Sequence, residues 1–201
     1  VRDGRLEVAL AEERLSRVKH DRGFPVLAIQ ACLKTAGVRA DAVDFVCFGW
    51  PEPRRTYLHD LKCFLAGDHP VSFPGVLNSS RHFLSMWHQR GGGNRFTHAF
   101  GSVRARFRYV DHHLAHAISA YAYSGFDEAA VLVLDGRGAW EATSIWHGKN
   151  GRLEPVLTLP WPNSLGLFYA GFTEYLGFVP NSDEWKVMGL APYGGPGVKL
   201  G

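Results

Sequence analysis

The chain has 201 residues, enough for one ordinary domain or for one lobe and part of a second, and 46% hydrophobic with 20% charged residues excludes a disordered protein. A net charge of +3 without aromatics stacked beside the arginines argues against nucleic-acid binding, no apolar run approaches the ~20 residues of a membrane span, and the opening Val1-Arg-Asp-Gly-Arg5 lacks signal-peptide features. A cytoplasmic protein with no nucleic-acid and no membrane partner is expected, its three cysteines (Cys32, Cys47, Cys63) forming no CxxC pair and reading as ordinary thiols.

In chain order, the turn Asp3-Gly4 precedes Arg5 to Ala11, whose partial alternation predicts a strand, and Glu12 to Val18 continues as a charged segment ending in Lys19-His20-Asp21. Val26, Ile29, Leu33 and Ala36 recur at helical spacing between Pro25 and Gly37, which predicts an amphipathic helix. Val43 to Gly49 is a short apolar strand, so the elements alternate in the α/β manner. Residues 51 to 102 carry Pro51, Pro53, Pro70, Pro74 and the triplet Gly91-Gly92-Gly93. They read as an insertion with helical fragments at Tyr57 to Leu65 and Arg81 to Gln89 among loops.

Regular patterning returns with a strand at Arg106 to Val110, one face of it carrying alternating arginines. A helix at His112 to Tyr123 follows, with an apolar stripe of Leu114, Ala117, Ile118 and Tyr121. Ala129 to Leu134 predicts a strong strand, Asp135 to Gly138 a turn, and Ala142 to His147 a second strand; Asn150-Gly151 turns the chain again into Leu153 to Leu159. Ser164 is placed to cap a helix from Leu165 to Tyr175 that stops at Gly177, and Lys186 to Leu190 predicts a helical turn before a glycine-rich tail ending at Gly197.

Four clusters could carry chemistry. His112 and His116, four apart on a helix, lie on one face and can reach the same metal ion through imidazole nitrogens, although the same spacing also occurs in ordinary surface histidines. Asp135 stands where a hydrophobic strand ends, a common position for ligand sites in α/β proteins. Two imidazoles and a carboxylate suit Fe(II) or a similar divalent ion, while Asp-Gly is also simply what a tight turn wants. Gly138 would let backbone amides approach an anion. Lys186 with Gly189 before the glycine-rich tail could cradle phosphate or equally be a solvated turn, and Arg17, Lys19 and His20 form a cationic cluster that reads more readily as an exposed polar loop unless the fold places it in a cleft.

Six segments, taken in order, resemble the signatures of one family. They are Glu12 to Asp21 (EERLSRVKHD), His112 to Ala117 (HHLAHA), Ser124 to Ala129 (SGFDEA), Asp135 to Gly138 (DGRG), Ser164 to Leu167 (SLGL) and Lys186 to Gly194 (KVMGLAPYG). The family is that of the nodulation, tobramycin and cephamycin O-carbamoyltransferases, and the resemblance covers nearly all of the chain outside residues 51 to 102. It implies an actin-like ATPase (ribonuclease-H-like) α/β fold, with residues 1 to 126 as most of a first lobe and 127 to 201 opening a second. A YrdC-type domain would follow in the same full-length chain.

The resemblance further implies that ATP and carbamoyl phosphate yield carbamoyl adenylate, from which the carbamoyl group passes to a hydroxyl of a sugar or other small molecule. By position, His112 and His116 match helical metal ligands and Asp135 a third, shared with a phosphate of the adenylate alongside Gly136 and Gly138. Lys19 matches a basic residue near the carbamoyl or phosphate group, with His20 beside it. Lys186 and Gly189 match the phosphate-side loop. His113, displaced about 100° around the helix from His112, reads as an orienting residue.

The family pattern also implies a first strand with a catalytic histidine before Val1 and a further aspartate ligand after Gly201, so that the chain alone would be inactive. A tRNA threonylcarbamoyl transferase-like enzyme and a non-catalytic nucleotide-binding fragment are the alternatives.

Overall fold

The computed structural model describes residues 1–21, 23–67, 91–101 and 103–195. The helices are α1 (Glu12–Ser16), α2 (Val26–Thr35), α3 (Pro53–Ala66), α4 (Gly91–Phe100), α5 (His112–Ala122), α6 (Leu165–Tyr175) and α7 (Glu184–Leu190). The strands are β1 (Phe45–Phe48), β2 (Arg106–Tyr109), β3 (Glu128–Gly138), β4 (Glu141–Lys149) and β5 (Arg152–Pro160). The fold is mixed α/β, in two compact units that divide between Val110 and Asp111. Among the described residues no helix is long and apolar enough to cross a membrane.

In the first unit β1 and β2 pair in parallel, Phe45 opposite Arg106 and Phe48 opposite Tyr109. Parallel pairing requires a crossover connection, and α3 and α4 lie within it. Phe48 stacks on Phe107 and Tyr109, and buried Phe96 of α4 meets Phe107 edge-on, so aromatic rings join the pair to the helix. Helix α2 has no cap of its own. The Glu12 carboxylate of α1 instead accepts hydrogen bonds from the amides of Leu27 at 3.1 Å and Ala28 at 2.7 Å, supplying the negative charge that a helix N-terminus favours.

The second unit is an antiparallel meander, β3-β4-β5, with α5 against one face. Val131 and Val133 alternate inward with Trp146 of β4 to meet Ala117 and Tyr121 of α5, which makes the core. The outward residues, Leu132 and Leu134, remain exposed, and Ile145 and Leu157 share the cross-strand row of Leu132. The turn into β5 is Asn150-Gly151 with φ of 50° and 73°, the left-handed pair that a two-residue hairpin demands.

Several expectations change. Residues Arg5 to Ala11 form no strand: a strand is defined by its ladder, and among the described residues only Arg2 and Arg5 exchange hydrogen bonds there. Asp135 to Gly138 is not the turn but the irregular end of β3; the register shifts between Leu134 and Gly138, and the chain reverses at Ala139-Trp140, with Ala139 at φ 66°. The triplet Gly91-Gly92-Gly93 opens α4 instead of forming a loop, its low helix propensity confined to the first turn. Ile118 is 44% exposed, and fully buried His113 takes its place in the core stripe of α5. The fragment expected at Arg81 to Gln89, with Pro70, Pro74 and Gly197, lies outside the described residues.

Candidate metal centre

A helix turns about 100° per residue, so residues four apart form a stripe. In α5 the stripe His113, Ala117, Tyr121 is buried against the meander. His112 and His116 form the neighbouring stripe, one position earlier and nearer solvent. Asp135 continues the inward alternation of Val131 and Val133, at the start of the stretch where the register of β3 breaks. Helix periodicity and strand alternation therefore converge on one point.

There, His112 Nε2 lies 2.9 Å from Asp135 Oδ2, His116 Nε2 lies 4.0 Å from the same oxygen, and the two Nε2 atoms are 3.0 Å apart. Two donors bound at about 2.1 Å to one ion can be no more than about 4.2 Å apart, and all three separations meet that limit. Asp135 Oδ1 accepts a 2.6 Å hydrogen bond from the Gly136 amide, whereas Oδ2 is buried and accepts none, despite its closeness to His112. A buried carboxylate oxygen without a hydrogen bond, facing two imidazole nitrogens, is a donor set fitted to a cation.

The surrounding backbone is shaped by glycine. A Cβ on Gly138 would stand 2.4 Å from His113 Cδ2 and 3.0 Å from His112 Cδ2, so the imidazoles occupy the space that a side chain would need. A Cβ on Gly166 would stand 2.7 Å from the Gly136 nitrogen and 2.9 Å from the Asp135 oxygen, which brings the first turn of α6 directly onto the strand end. Ser164 caps that helix by accepting from the Leu167 amide at 3.0 Å, and its hydroxyl donates to the Asp135 carbonyl at 2.6 Å. Burial lowers the His113 pKa, partly opposed by the charge of Asp135, which favours the neutral ring.

The other residues singled out from the sequence are distributed as follows. Lys19 and His20 are exposed in a turn of the first unit, where the His20 amide donates to Glu13 Oε2 at 3.0 Å. Lys186 lies in α7 with its Nζ 2.8 Å from Asp183 Oδ2. Gly189 is in the same helix and a Cβ there would meet nothing within 4 Å; the same holds for Gly136. Missing from the sequence reading are Ser144, Trp146 and Gly166, and the second bond of Ser164. For Gly166 the signal was a glycine in the first turn of a helix, a position that gains nothing from flexibility and so points to close packing.

A mixed α/β chain with two helical histidines and a strand-end aspartate around one point defines a candidate metal-dependent domain. The family model for the carbamoyltransferase N-terminus matches residues 1–200, and the chain belongs to that family. It is 39% identical over 205 residues to an uncharacterized protein of Synechocystis sp., sll1178, covering 98% of this chain and 32% of that protein. It is 36% identical over 198 residues to nodulation protein NolNO of Sinorhizobium fredii, covering 98% of this chain and 27% of that one. It is 29% identical over 187 residues to the uncharacterized protein MJ1051 of Methanocaldococcus jannaschii, covering 93% and 29%. The chain thus spans 27–32% of the length of these relatives.

Proposed function

We propose that this chain is the metal-bearing part of a cytoplasmic O-carbamoyltransferase with an actin-like ATPase fold, lobes at 1 to 126 and 127 to 201, and a YrdC-type domain elsewhere in the full-length protein. The observation that carries the reading is the convergence of His112, His116 and the buried Asp135 Oδ2 in a chain of this family. The parallel pair β1-β2 and the antiparallel meander followed by α6 are compatible with that fold. Fe(II) or a similar divalent ion suits two imidazoles and one carboxylate.

The reaction begins with carbamoyl adenylate: water releases carbamate and inorganic phosphate from carbamoyl phosphate, and the carbamate oxygen bonds to the α-phosphorus of ATP as the bond to pyrophosphate breaks. An oxygen of the acceptor, a hydroxyl of a sugar or other small molecule, bonds to the carbamoyl carbon. The bond from that carbon to the phosphate oxygen breaks, AMP leaves, and the hydroxyl proton passes to a base. A divalent ion, when bound, supplies positive charge for the oxygens on which negative charge develops. His112 and His116 would hold such an ion through their imidazole nitrogens and Asp135 through its carboxylate.

Gly136, where a Cβ would meet nothing within 4 Å, leaves room for a phosphate, whereas at Gly138 that room is taken by the His113 and His112 rings and only its backbone is on offer; Lys186 and Gly189 line the phosphate side, and Lys186 must exchange its bond to Asp183 for one to phosphate. Lys19 and His20 steady the carbamoyl or phosphate group.

Full-length protein given ATP, carbamoyl phosphate and a panel of hydroxylated acceptors should produce AMP and a carbamate ester. Absence of both AMP and carbamoyl adenylate with every acceptor would overturn the reading.

A further inference from the structure

His113 stands between the two metal-site histidines in sequence and points elsewhere. It is fully buried, at the head of the core stripe that continues through Ala117 and Tyr121. Its Nδ1 lies 2.8 Å from Ser144 Oγ of β4, and the same oxygen accepts from Trp146 Nε1 at 2.7 Å. The indole nitrogen can only donate, so Ser144 is satisfied when its own proton goes to His113 Nδ1. That tautomer leaves the hydrogen on His113 Nε2, a buried atom without a hydrogen-bond partner, against Gly138.

For stability alone this is a poor choice. A buried donor without an acceptor is destabilising, and the rest of the stripe is apolar or aromatic, so leucine would serve packing better. What histidine adds is position. The ring is fixed at one edge by the Ser144-Trp146 chain and at the other by the Gly138 backbone, where no Cβ could fit. Eight residues along α5, about 12 Å, the Tyr121 ring rests on Gly148 in the same way, a Cβ there standing 2.8 Å from two ring carbons.

From this we infer that His113 is a positioning residue: through Ser144 and Trp146 it locks the first turn of α5 onto the β3-β4 hairpin, and so sets how far His112 and His116 stand from Asp135. Sliding or turning the helix would separate donors now 2.9 to 4.0 Å apart. The inference rests on the metal-site reading, which it deepens.

The test is anaerobic Co(II) titration of the full-length protein, followed by visible absorption, beside thermal unfolding of the metal-free form. Wild type should bind one Co(II) per chain. His113→Leu should unfold at or near the wild-type temperature yet bind at least about tenfold more weakly with an altered absorption band, the range typical of groups that orient metal ligands. Ser144→Ala, which removes the same bond from the strand side, should weaken binding likewise. His113→Asn, able to bond Ser144 again, should recover most of the affinity.

Unchanged affinity in both His113→Leu and Ser144→Ala overturns the inference alone, as does a loss that follows the unfolding temperature and is not relieved by asparagine. Failure of wild type to bind Co(II) overturns the metal-site reading, and this inference with it.

Discussion

The Ser164 hydroxyl donates a 2.6 Å hydrogen bond to the carbonyl of Asp135 while its oxygen accepts from the Leu167 amide, so one side chain both starts α6 and holds the end of β3. Ser164→Ala should lower stability by about 0.5–2 kcal/mol for the cap, with a further loss from the unsatisfied carbonyl. Ser164→Thr should retain most of both. Urea unfolding of the three proteins checks this; equal midpoints for serine and alanine would contradict it.

Gly166 meets backbone, which cannot rotate away as a side-chain tip can. Gly166→Ala should therefore force α6 off the strand end, destabilising by about 1–3 kcal/mol in spite of the better helix propensity of alanine. Gly171→Ala, in the same helix with nothing within 4 Å of the new carbon, should be neutral or slightly stabilising. Similar effects at the two sites in a thermal melt would remove the packing explanation.

Tyr121 lies flat on Gly148, and its hydroxyl donates to the Asp127 carbonyl at 2.7 Å. Tyr121→Phe keeps the ring and should cost about 0.5–1.5 kcal/mol, whereas Gly148→Ala disturbs the ring itself and should cost at least as much. The two should not be additive, since both act on one ring. A double-mutant cycle measures the coupling, and strict additivity would count against the contact.

Glu128 faces Lys149 directly across the β3-β4 ladder, its Oε2 2.9 Å from Nζ and its Oε1 2.8 Å from His147 Nε2. The Lys149 bond first and the His147 bond second hold its carboxyl below the ordinary glutamate range. A carboxyl depressed in the folded state stabilises above its unfolded pKa, and that contribution disappears as pH falls through the folded value. Wild type should be slightly more stable than Glu128→Gln at neutral pH, with the gap closing below the ordinary glutamate range. Being exposed, the pair should also weaken in high salt. A gap that widens on acidification would show that the linkage has the wrong sign.

Local patterns announced much of this fold. Val26 to Ala36 carried its helix between proline and glycine, Ser164 its cap, and Asn150-Gly151 its hairpin, because each depends on neighbours in sequence. Misread segments depended on partners farther away. Asp135-Gly136 has the composition of a turn, yet β3 continues to pair as far as Gly138, and the reversal falls on Ala139, a residue with no turn signature. The apolar stripe read at helical spacing leaves out His113; its burial goes with Ser144, thirty-one positions later, which no window of helical spacing includes. In the candidate site the i, i+4 histidines were visible from periodicity. The burial of Asp135 Oδ2 beside the two imidazoles and the role of Gly166 required the strand and α6 to be assembled.

Metal content is the most direct test of the site. Full-length protein, prepared anaerobically and saturated with Fe(II), should retain about one ion per chain after desalting, a single ion being what one set of converging donors can hold. His116→Ala and Asp135→Asn, each folded by circular dichroism, should both lose it. One ion per chain in both variants, at undiminished affinity, would contradict the assignment of His112, His116 and Asp135 to a metal centre.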